Sequence, residues 1–498
     1  MEYRMQLAKA KGAAGEMALA SAIRNMNRIE GQRRLFSHIR HMEGKIRGGA
    51  ATQVTITSNG VAREYTNRKD VEQKTALNNE AKYHETESGG CQLTDPIVVN
   101  DLGMHGDGPR IQDVLYGTYE IPDVSTPETR DFLEACKYVG GVDSIMRNPT
   151  VIDPYRALKK SWRCREERTT SYHHHIGHYK AVMGDDYLSW FFFQRADIPT
   201  MSEYSPDRYR ECIDLMILRC ALEFELAKQR TLGILDTEFN HNIKLLGREC
   251  SQNSLRLDSL ATEQFSRPGR SAINQCVSKR CTVDHHQSCR LCFDMTSCDL
   301  AGCYDRIVHN AAVLALLHIG ISHKRISSMF STIQHMVHRI RTAFGDSEIT
   351  YGGDDVGDWK IAPQGILQGN ASGPAIWAVL SSVIFDILHK RGFGVPFCST
   401  LSKVLFIIVG FSYVDDCDLF RCGEDPAEVL ASMQALINNS GSLMEVTGGA
   451  LRPDKSWWYL VEYGWKRGKW VATDAGNNLT TSHLARRAGE KFKVYKCQ

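Results

Sequence analysis

Two apolar segments of this chain each run into aspartate, and that pairing constrains the fold more than any other feature. Between Leu405 and Phe420 (LFIIVGFSYVDDCDLF) an apolar run ends at Tyr413-Val414-Asp415-Asp416, after which polar and apolar residues alternate. The pattern predicts a β-hairpin with two adjacent carboxylates at its tip. Asp-Asp in a turn is ordinarily turn chemistry alone. Here a long apolar strand precedes it, and burying a strand that ends in two acids costs free energy unless a cation neutralises them. The second segment, Phe293 to Ile307 (FDMTSCDLAGCYDRI), leads to Asp299, then to Tyr304-Asp305, then into a helix. Ile307, Ala311, Leu314 and His318 fall on one face of that helix, which should end at Gly320. An acid at the end of a buried strand, just before a helix, is where a sheet presents a metal ligand. Carboxylate oxygens are the ligands Mg²⁺ prefers.

The length of 498 residues suggests two to four domains. With 42% hydrophobic and 24% charged residues the chain is globular. The net charge of +2 alone points to no anionic partner, but its distribution is uneven. Val71 to Arg130 holds four Lys/Arg against eleven Asp/Glu, a net of −7, and Leu451 to Gln498 holds ten against four, a net of +6. That asymmetry fits phosphate binding on one face, or simply a solvated surface. The sixteen cysteines are irregularly spaced, and MEYRMQLAKAKGAAGE has charges where a signal peptide needs an apolar core. Free thiols in a reducing intracellular compartment are the expectation. The most apolar run, Val404 to Phe411, is far too short to cross a bilayer, so no membrane segment is expected.

Residues 1 to about 50 are rich in Ala, Met, Lys and Arg without proline, which reads as amphipathic helix, either for packing or as a basic nucleic-acid arm. ATQVTITSNGVAREYTNRKD (51–70) alternates around Asn59-Gly60, a hairpin signal. Residues 85–150 are rich in Gly, Asp and Pro and should be an irregular linker. Tyr155 to Arg168 is basic, and SYHHHIGHYKA brings together His173, His174, His175 and His178. No matched Cys or acid spacing completes a zinc site there, so a packed loop or a backbone-binding turn is preferred. CTVDHHQSCRLC (Cys281, His285, His286, Cys289, Cys292) also imitates zinc spacing. It leads straight into the expected catalytic strand, so buried thiols are the preferred reading.

These acids now acquire a context. Asp299 with Tyr304-Asp305 resembles the first catalytic motif of reverse transcriptases of the non-LTR (LINE-type) branch, and Tyr413-Val414-Asp415-Asp416 resembles their Y-x-D-D box. Between them, PQGILQGNASGPAIW (363–377) is similar to the G-x-x-Q-G-x-x-x-[SA]-P motif, with Gly365, Gln368, Gly369 and Pro374 in place and Gly373 where Ser or Ala is usual. QFSRPGRSAINQ (264–275) resembles the fingers segment F-R-x-G-R-S, and RTLGILDTEFNHNIKLLGRE (230–249) the fingers strand and helix before it. TGGALRPDKS (447–456) and YLVEYGWKRGKW (459–470) look like the lysine motif and the primer-gripping hairpin that follow. The resemblance covers about residues 225 to 470, seven segments in the expected order, and extends to reverse-transcriptase-like proteins of diatoms and related eukaryotes.

The resemblance implies an α+β right-hand polymerase, with an antiparallel palm sheet backed by helices and a mainly helical N-terminal extension. Its domains would be a helical and hairpin extension (1–84), the linker (85–150), fingers (151–290), palm (291–460), and a primer-grip hairpin with a basic tail (461–498), the thumb being truncated or absent. It implies RNA-directed DNA polymerisation for a retrotransposon, with two Mg²⁺ ions (Mn²⁺ as a substitute) aiding in-line transfer of a dNMP to a primer 3′-hydroxyl. Asp299 and Asp415 would bridge both ions, with Asp416 nearby and the Leu300 carbonyl as a further ligand. Tyr304 would lie beneath the sugar and exclude a 2′-hydroxyl, and Asp305 would cap the following helix. Gln368 and Gly369 would line the nucleotide and template base, Arg267 and Arg270 would hold the triphosphate, and Lys455 would protonate pyrophosphate. The implied partners are an RNA or DNA template with its primer, dNTPs, and further domains of a larger polyprotein. A nuclear location is expected for a chromosomal retroelement. An RNA-dependent RNA polymerase and a non-catalytic nucleic-acid-binding remnant are the alternatives. The first usually carries Gly-Asp-Asp and lacks an aromatic gate, and decay of the second kind would not be expected to leave all three carboxylates intact.

Overall fold

The structure, a computed structural model, describes residues 51–88, 91–148, 179, 181–182, 184–218, 223–354, 359, 361–398, 403–453, 455–474 and 486–487. The N-terminal stretch 1–50, the basic stretch Tyr155–Arg168, the four clustered histidines and most of the basic tail lie outside the described residues. The strands, in chain order, are β1 (Val54–Ser58), β2 (Val61–Tyr65), β3 (Glu211–Ile217), β4 (Arg230–Leu235), β5 (Cys292–Cys298), β6 (Val337–Thr342), β7 (Gly345–Gly352), β8 (Val395–Cys398), β9 (Leu405–Ile408), β10 (Gly410–Tyr413), β11 (Asp416–Gly423), β12 (Trp457–Lys466), β13 (Lys469–Asp474) and β14 (Arg486–Arg487). The chain is α+β, with antiparallel pairing in the sheet that carries the acids.

Two units divide the chain. The smaller takes residues 1–78, 214–232 and 340–349. In it, β1 and β2 form the expected antiparallel hairpin. Asn59 and Gly60 turn it with φ of +51° and +76°, the left-handed pair that a tight two-residue hairpin loop needs. Strands β4, β3, β6 and β7 form a four-stranded sheet in that order.

The larger unit is built on the sheet β10-β11-β5-β12-β13, with β14 added in parallel beside β12. Five helices matter for it: α1 (Thr237–Leu257), α2 (Ala272–Cys289), α3 (His309–His318), α4 (Gly373–Lys390) and α5 (Pro426–Val446). Side chains alternate across β5. Cys298 and its β11 partner Cys417 face a cavity walled by α4 and α5. Phe293 and Met295 instead pack with Phe420 and Tyr459 on the other face, together with Val283 of α2. Asp236 caps α1, its side chain accepting the Glu238 and Phe239 N–H groups, and Asp425 likewise caps α5 through Ala427. α3 is buried on every side, which explains its all-round apolar composition (HNAAVLALLH).

Three expectations are corrected. Residues 85–150 are not an irregular linker. Short helices at Pro96–Leu102, Ile111–Tyr116, Pro127–Ala135 and Val142–Arg147 bury Leu102, Val114, Phe132 and Ile145. Two of them start at Asp95-Pro96 and Thr126-Pro127, where the side chain caps and proline supplies the first helical φ. The segment is stitched to α3 by Asn310, which donates to the Leu93 carbonyl at 3.0 Å, and by Val139 N–H on the His318 carbonyl. Next, the apolar run before the hairpin is not one strand. β9 pairs with β8 and leaves Leu405, Phe406 and Ile407 exposed, and only β10 joins the acid-bearing sheet. The break falls at Val409-Gly410, where an added Cβ would meet the Asp418 carbonyl oxygen at 2.2 Å. Finally, the hairpin expected from residue 461 begins at Trp457 and belongs to the same sheet, because β12 pairs with β5 from Trp457↔Ser297 to Val461↔Phe293.

Candidate active site

β5 and β11 are neighbours in register, with Ser297 opposite Asp418 and Cys298 opposite Cys417. Beyond that last pair the chain runs on to Asp299 after β5, and β11 begins with Asp416, close enough for the Asp299 charge to act on the Asp416 carboxyl. Tyr413 pairs with Asp416, so Val414-Asp415 is the two-residue turn and Asp415 sits at its tip. Asp299 and the adjacent pair Asp415-Asp416, more than a hundred residues apart in sequence, are therefore brought to one end of the sheet. Burial pushes the Asp416 carboxyl up from its ordinary value, and the charges of Asp415, Asp418 and Asp299 push it further, with Lys279 opposing. Lys279 of α2 is ion-paired with the buried Asp418.

Asp299 is held by the segment before β12. Its N–H donates to Ser456 Oγ at 3.2 Å, and its carbonyl accepts the Arg452 N–H at 2.8 Å. The Ala301 N–H donates to the Ala450 carbonyl at 2.8 Å. These two backbone bonds flank the bridge Leu300↔Leu451 and leave the Leu300 carbonyl directed away from that partner. Lys455 lies exposed in the turn that closes on Arg452 and leads to Ser456, beside the Asp299 backbone.

The loop around Gln368 is laced to the segment after Asp299. Gly365 N–H reaches the Ile307 carbonyl at 2.9 Å, and Ile366 N–H the Tyr304 carbonyl at 2.8 Å. Asp305 does not cap a helix. Cys303–Arg306 is a single turn whose N-terminal flank is Gly302, and Asp305 sits within it. Its Oδ1 instead accepts the Gln368 N–H at 3.2 Å, so it shapes the Gln368 loop. Gly365 is obligatory: its φ is +90°, and a Cβ there would lie 2.5 Å from the Asp305 carbonyl oxygen. Gln368 returns its carbonyl to Gly233 N–H at 2.8 Å, and Gly369 is exposed beside it. The Tyr304 ring lies 3.5 Å from where a Gly373 Cβ would stand, and its buried hydroxyl has no hydrogen-bond partner among the described residues. Burial raises the Tyr304 hydroxyl pKa, and Cys303 and Asp415 add to the shift.

Arg267 and Arg270 reach this end of the sheet because residues 263–265 pair with the edge of β10. Phe265 N–H donates to the Ser412 carbonyl, and Ser412 N–H to that of Glu263, both at 2.8 Å. Glu263 is fully buried and accepts Nε2 of His389 and the Val409 N–H, each at 2.8 Å. Arg270 lies over the Phe265 ring at 4.9 Å, and Arg267 donates to the Leu260 carbonyl at 3.4 Å. Neither guanidinium has a carboxylate partner among the described residues. Burial lowers the Arg270 pKa, and the charge of Arg267 lowers it further.

The cysteine–histidine segment belongs to α2, and helical periodicity separates it. Cys281, His285 and Cys289 point outward at four-residue spacing, while His286 turns inward against Phe293, Phe397 and Phe420. No three of these donors converge on one point. The expectation of buried thiols holds for Cys292 and fails for Cys281 and Cys289, which are exposed. Sequence reasoning also passed over Trp377, Glu263, His389, Lys279 and Ser456. Each acts through a partner far away in sequence, and only the proline-led helix at Gly373 hinted at one of them.

Neither a protein-family model nor a curated protein matches this chain.

Proposed function

We propose that this chain is a template-directed nucleotidyltransferase, an RNA-directed DNA polymerase of the right-hand type, in which the β10-β11-β5-β12-β13 sheet is the palm. The observation that carries the reading is that β5 and β11 pair up to Cys298↔Cys417, so that Asp299 follows one strand end and Asp416 starts the other, with Asp415 at the adjoining turn. Three acids at neighbouring strand ends, with Asp416 raised above its ordinary pKa first by burial and then by the charges of Asp415, Asp418 and Asp299, make a site suited to divalent cations. The donor set, all oxygen and including the Leu300 carbonyl, suits Mg²⁺. Bound there, two such ions would activate a primer 3′-hydroxyl and steady the leaving pyrophosphate.

The chain's own groups supply the remainder. Arg267 and Arg270, without a carboxylate partner among the described residues, would offer guanidinium forks to a triphosphate. Tyr304, packed on Gly373 and close enough to Asp415 to feel its charge, would restrict the 2′ side of a sugar with its ring. Gln368 and Gly369 present a loop fixed from both sides to a base pair. Lys455, exposed beside the Asp299 backbone, would serve as the proton donor to the leaving group. The β12-β13 turn, Lys466-Arg467-Gly468-Lys469, is basic and flanked by the exposed rings of Trp465 and Trp470, a composition suited to nucleic-acid backbone and bases. No helix among the described residues is long and apolar enough to cross a membrane.

The test is extension of primed RNA and primed DNA templates with dNTPs or NTPs in Mg²⁺. Extension with dNTPs on RNA, lost in Asp415→Asn while primer–template binding stays, is the expected result, since binding rests on many phosphate contacts that one carboxylate does not supply. Preference for NTPs would shift the reading to an RNA polymerase, and binding without extension to a non-catalytic remnant.

A further inference from the structure

We propose that Trp377 is a positioning residue for the carboxylate hairpin: its indole N–H holds the Val414 carbonyl and so keeps the turn in the one conformation that presents Asp415 and Asp416. The inference rests on the polymerase reading of that hairpin and adds a residue to it. Val414 has φ of +59°, in the left-handed region. It is the first central residue of a two-residue turn closed by the pair Tyr413↔Asp416, a position where glycine is favoured. For a β-branched residue this backbone is a genuine outlier, and it persists only where the surroundings over-determine it.

Among the described residues, one side chain tethers this residue through a hydrogen bond. Trp377 Nε1 donates to the Val414 carbonyl at 2.6 Å, and the indole is only 2% exposed. Asp415, at the tip, is itself exposed. Beneath the tip lies a cavity of about 20 Å³ lined by apolar atoms, with Trp377, Val414, Cys417 and Leu300 among its walls. Packing from below is therefore incomplete, and the hydrogen bond carries the restraint. Trp377 has a firm base. It stands on the first turns of α4, and α4 is tied to the edge of the sheet by Gln264 Nε2, which donates to Ser381 Oγ at 2.7 Å. The restraint thus links the helix that begins beside Tyr304 to the turn that carries two metal-binding acids.

Glycine at position 414 would adopt the turn without strain, so the need for the tether should vanish with Val414. Wild type, W377F, V414G and the double variant are compared in Mg²⁺-dependent extension of a primed RNA template, in Mn²⁺ titration without nucleic acid, and in thermal melts. W377F should lower kcat by about 10- to 100-fold with KM for dNTP within about twofold, as expected of a small misplacement of reacting groups. It should also weaken Mn²⁺ binding. In the V414G background the same substitution should cost less than about threefold, a coupling that general destabilisation does not produce. Equal costs in the two backgrounds, or wild-type kcat in W377F, overturn the proposal. If the wild type extends no primer, the polymerase reading falls alone and Mn²⁺ affinity carries the test. The same coupling is then expected, and unchanged affinity in W377F overturns the positioning role.

Discussion

Tyr304 offers the sharpest separation of a packing role from a functional one. Its hydroxyl is buried without a partner among the described residues, while its ring rests against Gly373. A buried hydroxyl left unsatisfied costs about 1–3 kcal/mol. Tyr304→Phe removes that group and keeps the ring, so the variant should be more stable than wild type by up to about that amount. It should also discriminate between dNTPs and rNTPs as wild type does, because exclusion by a ring is steric. Tyr304→Val removes the ring. A large-to-small change in a full core costs about 2–5 kcal/mol, and Tyr304 is only half-buried, so the loss should sit at the lower end of that range. Discrimination should fall by about 10- to 200-fold, the range that a single group in a fitted pocket commands. The assay is the ratio of dNTP to rNTP incorporation for the three proteins, with a melt for each. An unchanged ratio in Tyr304→Val with a lowered melting point would show a core tyrosine that guards nothing. A Tyr304→Phe variant that loses discrimination as fully as Tyr304→Val would show that the hydroxyl, not the ring, does the work.

Other outcomes follow from single contacts. Gly373→Ala restores the residue usual in the motif and meets the Tyr304 ring at an ordinary 3.5 Å, so activity should persist and the melting point should hold or rise, whereas Gly365→Ala, with its Cβ 2.5 Å from the Asp305 carbonyl, should lose both. The His389–Glu263 pair gives a pH signature. Burial pushes Glu263 up, but the hydrogen bonds from His389 and Val409 prevail and lower it, while the bond to Glu263 raises His389. The histidine's contribution is complete below its ordinary value of 6.5 and is lost as pH rises through the raised one, and the glutamate's is complete above 4.5 and lost as pH falls through the lowered one. His389→Gln should therefore be less stable by about 1–3 kcal/mol near pH 5.5, with the deficit shrinking toward pH 9 in urea titrations; a deficit that grows with pH would refute the pairing. For Asp416, a raised carboxyl penalises the folded state once ionised, so without divalent ions Asp416→Asn should melt above wild type at pH 7, and the gap should close below its ordinary value of 3.8. Saturating Mg²⁺ should reverse the order.

The sequence alone determined the local events. The turn at Asn59-Gly60, the carboxylate hairpin at Val414-Asp415, the strand that leads to Asp299, and the helix that opens with Gly373-Pro374 are each set by residues a few positions apart, because turn chemistry, strand alternation and helix entry are short-range preferences. The short helices of 85–150 were concealed because Gly, Asp and Pro serve equally as breakers and as caps, and only burial against α3, α4 and α5 decides between the two uses. The apolar run before the hairpin showed no break, since β8, the partner that draws β9 away from β10, pairs with it only in three dimensions. The same holds for Asp305, which looked like a cap and holds the Gln368 N–H, and for His285 and His286, adjacent in sequence but one exposed and the other buried against Phe293, Phe397 and Phe420. Trp377 is the clearest case. As a residue it is one more apolar position on a helix, and its partner is the carbonyl of a residue 37 positions away, so only the packing of α4 beneath the hairpin gives its indole N–H a purpose.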